Sequence, residues 1–163
     1  MVSRVRVVVP FTRLDDRTRE RLDQHAPGWV GYELDPARPD AYHHLLAEQW
    51  DDHGTDLVTV EHDIGIHAGV LPGFDQCPEP WCAHAYPIGA QLLPCLGCTR
   101  FRAGLKRAFP DLFTQLARDY RDGSPPMDWR RLDVRLAGEL QCRGWAVHVH
   151  QPPVEHYHEY PEV

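Results

Sequence analysis

The chain has 163 residues, 42% of them hydrophobic and 25% charged, with a formal net charge of −7. That length fits one domain with a real core, and the acidic balance argues against a broadly basic nucleic-acid surface while leaving room for a nucleic acid held in one local groove. No apolar run reaches the roughly 18–20 residues of a membrane span, and the first residues lack a signal-peptide cleavage pattern, so a cytoplasmic protein is expected.

Arg4 to Phe11 reads as a β-branched strand entering a proline-containing loop. Asp15 to Gln24 is predicted as a short helix, with Leu14, Thr18 and Leu22 at helical spacing and acidic residues in its first turn. Trp29 to Leu34 is a second strand, ending at Asp35-Pro36. Asp40 is placed to cap a helix with the buried stripe Tyr42, Leu45, Leu46, Gln49 and Trp50, and Gly54 stops it. Leu57 to Val60 is a third, buried strand. The order β-α-β-α-β predicts a parallel sheet with right-handed crossovers. The loop after Pro10, Asp35 and the residues after Val60 then fall along one sheet edge.

The third strand runs into Glu61-His62-Asp63. In an extended backbone Glu61 and Asp63 leave the same face, at the strand end where open α/β sheets bind ligands. Two hard oxygen donors there suit Mg²⁺ or Mn²⁺ carrying a phosphate; the plainer reading is an acidic turn closing a strand.

Residues 64–98 are rich in Gly, Pro and Cys, with short apolar pieces at Trp81 to Tyr86 and Ala90 to Leu93. Irregular stretches of this length inside a domain are commonly functional. Cys77, Cys82, Cys95 and Cys98 read C-x4-C-x12-C-x2-C, close to zinc-ribbon spacing, so a structural Zn²⁺ is one reading. Against it, Cys82 sits in the apolar run Trp81-Cys82-Ala83, Cys98 directly precedes a predicted helix, and free cysteine is commonly buried. Disulfides are disfavoured in a reducing compartment. Thr99 is placed to cap a helix through Ala108, and Pro110 opens another bearing Leu112, Phe113, Leu116 and Tyr120, before a loop at 122–126.

Asp128 to Cys142 is predicted as a helix whose apolar stripe is Trp129, Leu132, Leu136, Ala137 and Leu140. Asp133 falls inside that stripe. A carboxylate there is either paired, with Arg130 or another arginine, or lines a cleft. In a cleft its pKa would rise toward neutrality and suit a general base. In Trp145 to His150, Trp145, Val147 and Val149 face one way and His148 and His150 the other; Pro152-Pro153 ends the strand, and Glu155-His156-Tyr157-His158 follows. An imidazole reaching the acidic loop would complete a carboxylate–histidine metal site. For any single histidine, an exposed edge strand is the plainer reading.

Taken in order, these motifs resemble a shortened nucleotide-sugar glycosyltransferase of the GT-A fold. The matching pieces are Val7-Val-Val-Pro10, Asp35 after the second strand and Glu61-His62-Asp63 in the place of Asp-x-Asp. A helix after Leu96-Gly97-Cys98, Trp129-Arg-Arg-Leu-Asp133 and a late histidine complete the series. With Cys77-Pro-Glu-Pro-Trp-Cys82, the chain is similar to small glycosyltransferase-like proteins of actinobacteria and their phages. The resemblance implies one α/β domain, 1–163, a mostly parallel Rossmann-like sheet flanked by helices, with a nucleotide half (1–63) and an acceptor half (64–163). It implies transfer of a hexosyl or pentosyl unit from a nucleotide-diphosphate donor to an acceptor hydroxyl, with inversion. The acceptor would be a modified DNA base, a glycan or a small molecule. Pro10, Phe11 and Thr12 would line the nucleotide pocket, and Asp35 would contact base or ribose. Asp63 with Glu61 would hold Mn²⁺ or Mg²⁺, His150 or His156 would complete its shell, and Asp133 would deprotonate the acceptor. A phage-encoded copy would act in the host cytoplasm. Two other classes compete: a zinc-stabilised binding module without catalysis, and a metal-dependent phosphoester or nucleotide hydrolase.

Overall fold

The computed structural model describes residues 5–88, 90–94, 96–119 and 129–157. Strand β1 (Val5–Phe11) is followed by α1 (Asp16–His25), β2 (Val30–Glu33), α2 (Ala41–Asp51) and β3 (Asp56–Val60), as the sequence pattern predicts. Asp15 caps α1, its carboxylate accepting from the Arg17 amide at 2.8 Å. Next come β4 (Ile64–Gly65), α3 (Val70–Gln76), β5 (Trp81–His84), β6 (Tyr86–Ile88), β7 (Gln91–Leu93) and β8 (Cys98–Phe101). Helices α4 (Ala103–Ala108), α5 (Leu112–Asp119) and α6 (Trp129–Cys142) precede β9 (His148–His150) and β10 (Glu155–His156). Tyr120, the loop at 122–126, Asp128 and His158 lie outside the described residues.

The central sheet has the order β2-β1-β3-β8-β5-β9. Every strand runs the same way except β8, which is antiparallel to both its neighbours. Alternation along β1 explains the layering. Val7 and Val9 join one apolar cluster with Leu22 of α1 and Val70 and Phe74 of α3. Val8 joins a second cluster with Leu46 and Trp50 of α2, Leu105 of α4, Leu112 of α5 and Leu132, Leu136 and Leu140 of α6. The sheet is thus buried on both faces, which is why β3 reads as a continuous apolar run.

Three expectations are corrected. Residues 98–101 are strand, not the start of a helix, and all four are buried. Thr99 caps nothing; its hydroxyl donates to the Cys82 carbonyl at 3.0 Å and accepts from Trp81 Nε1 at 3.2 Å. The helix begins at Ala103, where the first amide is taken by the Asp56 carboxylate at 2.8 Å. Trp129 is 55% exposed rather than part of the buried stripe of α6. Strand structure at 145–150 is confined to 148–150.

Candidate active site

The carboxyl ends of β1, β2 and β3 open onto a cleft of about 340 Å³. Its walls are Pro10, Phe11 and Thr12 from the end of β1, Leu34, Asp35 and Pro36 after β2, and Glu61 and His62 after β3. Parallel crossovers deliver all three chain segments to one edge, which is the physical reason a single cleft gathers residues 50 positions apart. Asp35 Oδ1 accepts from the Ala37 amide at 2.9 Å, which fixes the carboxylate in its turn. On the far side stand Arg38, Pro39 and Tyr42, together with Trp129 from the first turn of α6. Trp129 is tied there by its amide, which donates to the Pro39 carbonyl at 3.2 Å.

The acidic loop is held by its backbone. Glu61 N–H donates to the Gly97 carbonyl at 2.9 Å, the His62 carbonyl accepts from Asp15 N–H at 3.0 Å, and the Asp63 carbonyl accepts from Tyr157 N–H at 2.8 Å. The loop closes on itself through Ile64 N–H to the Glu61 carbonyl at 3.2 Å. Glu61 and Asp63 therefore flank a turn instead of extending one strand face, and each meets a different set of partners.

Glu61, half-buried, faces the cleft. Burial above all, then the negative charges of Asp63 and Asp133, push its carboxyl up to about 8, against smaller lowering effects of His156 and Tyr42. The Tyr42 hydroxyl is buried and forms no hydrogen bond of ordinary geometry. It is still close enough to Glu61 and Asp133 for burial and their charges to raise its pKa well above the usual value.

Asp63 turns toward β10, the last strand among the described residues. Antiparallel pairing of β10 with β4 sets His156 opposite Ile64, beside Asp63. His156 Nε2 lies 3.2 Å from Asp63 Oδ2, and its Nδ1 lies 2.7 Å from the Pro87 carbonyl. The carbonyl can only accept, so Nδ1 carries a proton, and the second nitrogen is aimed at the carboxylate. Burial raises Asp63, but the His156 hydrogen bond and the charges of His62 and His156 hold it below the usual range. His156 is raised, first by its bond to Asp63 and against the opposing effect of burial.

For this pair to hold a divalent cation, His156 must first give up the Nε2 proton it donates to Asp63. A metal-binding imidazole commonly donates its remote N–H to a carbonyl while the other nitrogen points into the site, and here that nitrogen sits against a carboxylate oxygen. Glu61 lies close enough for the Asp63 charge to act on it. The three donors do not all fall within 4.8 Å of one another, so a six-coordinate ion would take part of its shell from substrate phosphate and water.

The structure does not bring His150 to this loop. His150 is on β9, and β8 and β5 intervene between β9 and β3, a separation of roughly 14 Å at ordinary strand spacing. Asp133 lies on the other flank, in a neighbouring cavity of about 390 Å³ lined also by Trp81, Leu96, Thr99 and Phe101. It is half-buried, and its carboxylate accepts from the Val134 amide at 2.7 Å. The predicted four-cysteine set is not assembled among the described residues. Cys77, Cys82 and Cys98 are buried free thiols, and Cys95 lies outside the described residues. Burial pushes Cys82 up to about 12 and Cys98 further still.

Sequence reading missed Tyr42 and Trp129 as cleft residues because both fit the apolar stripe of a helix. The signal was present in their position: each lies in the first turn of its helix, where the sheet edge ends and a stripe residue overhangs it.

No family model and no curated protein sequence matches the chain. Among solved structures, it is similar to a glycosyltransferase involved in the glycosylation of the major capsid of PBCV-1. The TM-score is 0.58 and the identity 12%, over 96% of each chain. It is also similar to CMP:2-keto-3-deoxy-manno-octonic acid synthetase complexed with CTP, with a TM-score of 0.51 and 13% identity, over 91% of this chain and 89% of that one. The fold is accordingly the Rossmann-like GT-A fold in a single small domain.

Proposed function

We propose that the chain is a metal-dependent glycosyltransferase that takes a sugar from a nucleoside-diphosphate donor. The observation that carries this reading is the Asp63–His156 pair at 3.2 Å, directly after Glu61 and His62, which line a cleft at the carboxyl ends of three parallel strands. The likeness of fold to a glycosyltransferase agrees with it. In this reading Phe11, Thr12 and Asp35 receive the nucleoside, and Trp129 closes over it. Asp63 and His156, with Glu61, would hold Mn²⁺ or Mg²⁺, which would supply positive charge to offset that developing on the departing diphosphate.

The remaining work falls to the protein's own side chains. Asp133, from the opposite flank, accepts the proton of the acceptor hydroxyl as it attacks, which favours inversion at the sugar carbon. Glu61, raised to about 8 by burial and by the charge of Asp63, holds a proton in the metal-free chain that an arriving cation would displace as the carboxylate joins its ligands. No helix among the described residues is long and apolar enough to cross a membrane.

Thermal shift with a panel of UDP-, GDP-, CDP- and TDP-sugars tests the reading. A donor should raise the melting temperature only with Mn²⁺ or Mg²⁺, and Asp63→Ala should abolish that rise. Failure of every nucleotide sugar with both metals overturns it. Stabilisation by CTP instead, with pyrophosphate released on adding a sugar acid, would replace it with nucleotidyl transfer, the activity named for the second similar structure.

A further inference from the structure

A second group of metal-type donors lies on the opposite side of the sheet's centre and plays no part in the cleft. Strand β9 pairs in parallel with β5, placing His148 beside Cys82 and His150 beside His84. Positions two apart on a strand share a face, so His148 and His150 both project toward the end of α3, where Cys77 is the C-cap. The donor atoms of Cys77, His148 and His150 all lie within 4.8 Å of one another, the one such triplet among the described residues.

Independent features point to a ligand rather than to packing. His150 Nε2 and His84 Nε2 are both buried without a hydrogen-bond partner. His84 is 1% exposed, and its Nδ1 bonds the Pro152 carbonyl at 2.8 Å. That bond puts the proton on Nδ1 and leaves the Nε2 lone pair bare. Its ring stacks on that of His150, with centroids 5.1 Å apart, and a Cβ on Gly73 would lie 4.0 Å from His84 Nε2 and 3.8 Å from His150 Nδ1. Buried polar atoms are nearly always satisfied, and the orphaned His150 nitrogen beside a thiol and a second imidazole is the arrangement a cation would satisfy.

We propose that Cys77, His148 and His150 form a zinc-class metal site, three protein donors with an open fourth position, which clips edge strand β9 to the end of α3. One sulfur and two imidazoles are borderline-soft donors that select Zn²⁺ over Mg²⁺ or Mn²⁺. Tetrahedral zinc needs its donors about 3.5 Å apart, so the three atoms, now within 4.8 Å of one another, close in by at most about 1.3 Å. The Arg100 guanidinium, bonded to the Cys77 carbonyl at 3.0 Å, brings positive charge near the site, and the thiolate formed on metal binding offsets it. Cys77 was one of the four zinc-ribbon cysteines, but its partners here are histidines that the cysteine spacing does not reveal.

Titration of the reduced, metal-free full chain with Co²⁺ tests the site. One equivalent should produce a sulfur-to-cobalt charge-transfer band and tetrahedral d–d bands, both erased by Zn²⁺. Cys77→Ser should remove the charge-transfer band, and His148→Ala, an exposed position, should weaken binding at least about 10-fold with an unchanged circular dichroism spectrum. Asp63→Ala should leave the cobalt spectrum intact, which separates this site from the donor cleft. Absence of the bands, or bands indifferent to both Cys77→Ser and His148→Ala, overturns the proposal.

Discussion

Glu61 and Asp63 stand two positions apart, yet their protons respond to folding in opposite directions. Glu61 goes from its ordinary 4.5 to about 8 in the folded chain. Between those values the folded protein keeps a proton that the unfolded chain has released, so stability falls as pH rises through the interval. Glu61→Gln should leave the melting temperature unchanged near pH 4.5 and raise it by roughly 3 °C or more at pH 8.5. Equal melting curves at pH 8.5 would refute the assignment. Asp63 is held low and His156 high. Their mutual stabilisation is lost as pH falls through the lowered Asp63 value, and lost again as pH rises through the raised His156 value. His156→Gln is expected to cost about 1–3 kcal/mol at pH 6 and less at pH 9, measured by urea unfolding at the two pH values. The acidic pair was legible as a ligand-type motif from composition alone. That the two would diverge was not, because the extended geometry assumed for 61–63 gives way to a turn fixed by Gly97, Asp15 and Tyr157, none of them near in sequence.

At the level of elements, the first 60 residues carry a clear β-α-β-α-β signal, because each strand is a short apolar run and each helix a stripe between turn residues. Strand β8 was hidden by Arg100. A charged residue in a four-residue run argues against a central strand, but this guanidinium is 1% exposed and bonds the carbonyls of Phe74, Cys77 and Glu79, the last two at 3.0 and 2.8 Å. It satisfies the irregular connection between α3 and β5, which has no ladder of its own. Arg100→Leu should therefore destabilise by about 2 kcal/mol or more, because the Glu79 carbonyl loses its donor and the Phe74 and Cys77 carbonyls each lose one of two, the others being the Cys77 amide and Arg102. A change under about 1 kcal/mol in chemical denaturation would show that water takes over the carbonyls. Helix α6 offers the complementary case. Trp129 satisfies the apolar periodicity and still protrudes, 55% exposed, over the cleft. Trp129→Ala should leave the fold's stability within about 0.5 kcal/mol and weaken nucleotide-sugar binding about 10-fold, read by calorimetry; undiminished binding would remove it from the site.

Across the whole molecule, the single reversed strand β8 lets one sheet carry two chemically distinct ends. The cleft with its carboxylates opens beyond β1, β2 and β3, and the thiol–imidazole cluster lies at β5 and β9. This separation is what sequence spacing could not convey. His150 and His156 are six positions apart, but one follows β5 and the other folds back onto β4. The return depends on a close approach at Gly65, where a methyl group would run into the Tyr157 ring. Gly65→Ala should displace β10 and abolish metal-dependent donor binding while the six-stranded sheet keeps its circular dichroism. Retained binding would show that His156 is dispensable.

The strap formed by 155–157 is anchored by Arg17, whose guanidinium covers the Tyr157 ring at 4.3 Å and bonds its carbonyl at 3.2 Å. A histidine that reaches its carboxylate only by way of this strap is the last component to emerge during translation. A released chain truncated before residue 155 would then keep all six strands of the central sheet and lack the imidazole that meets Asp63.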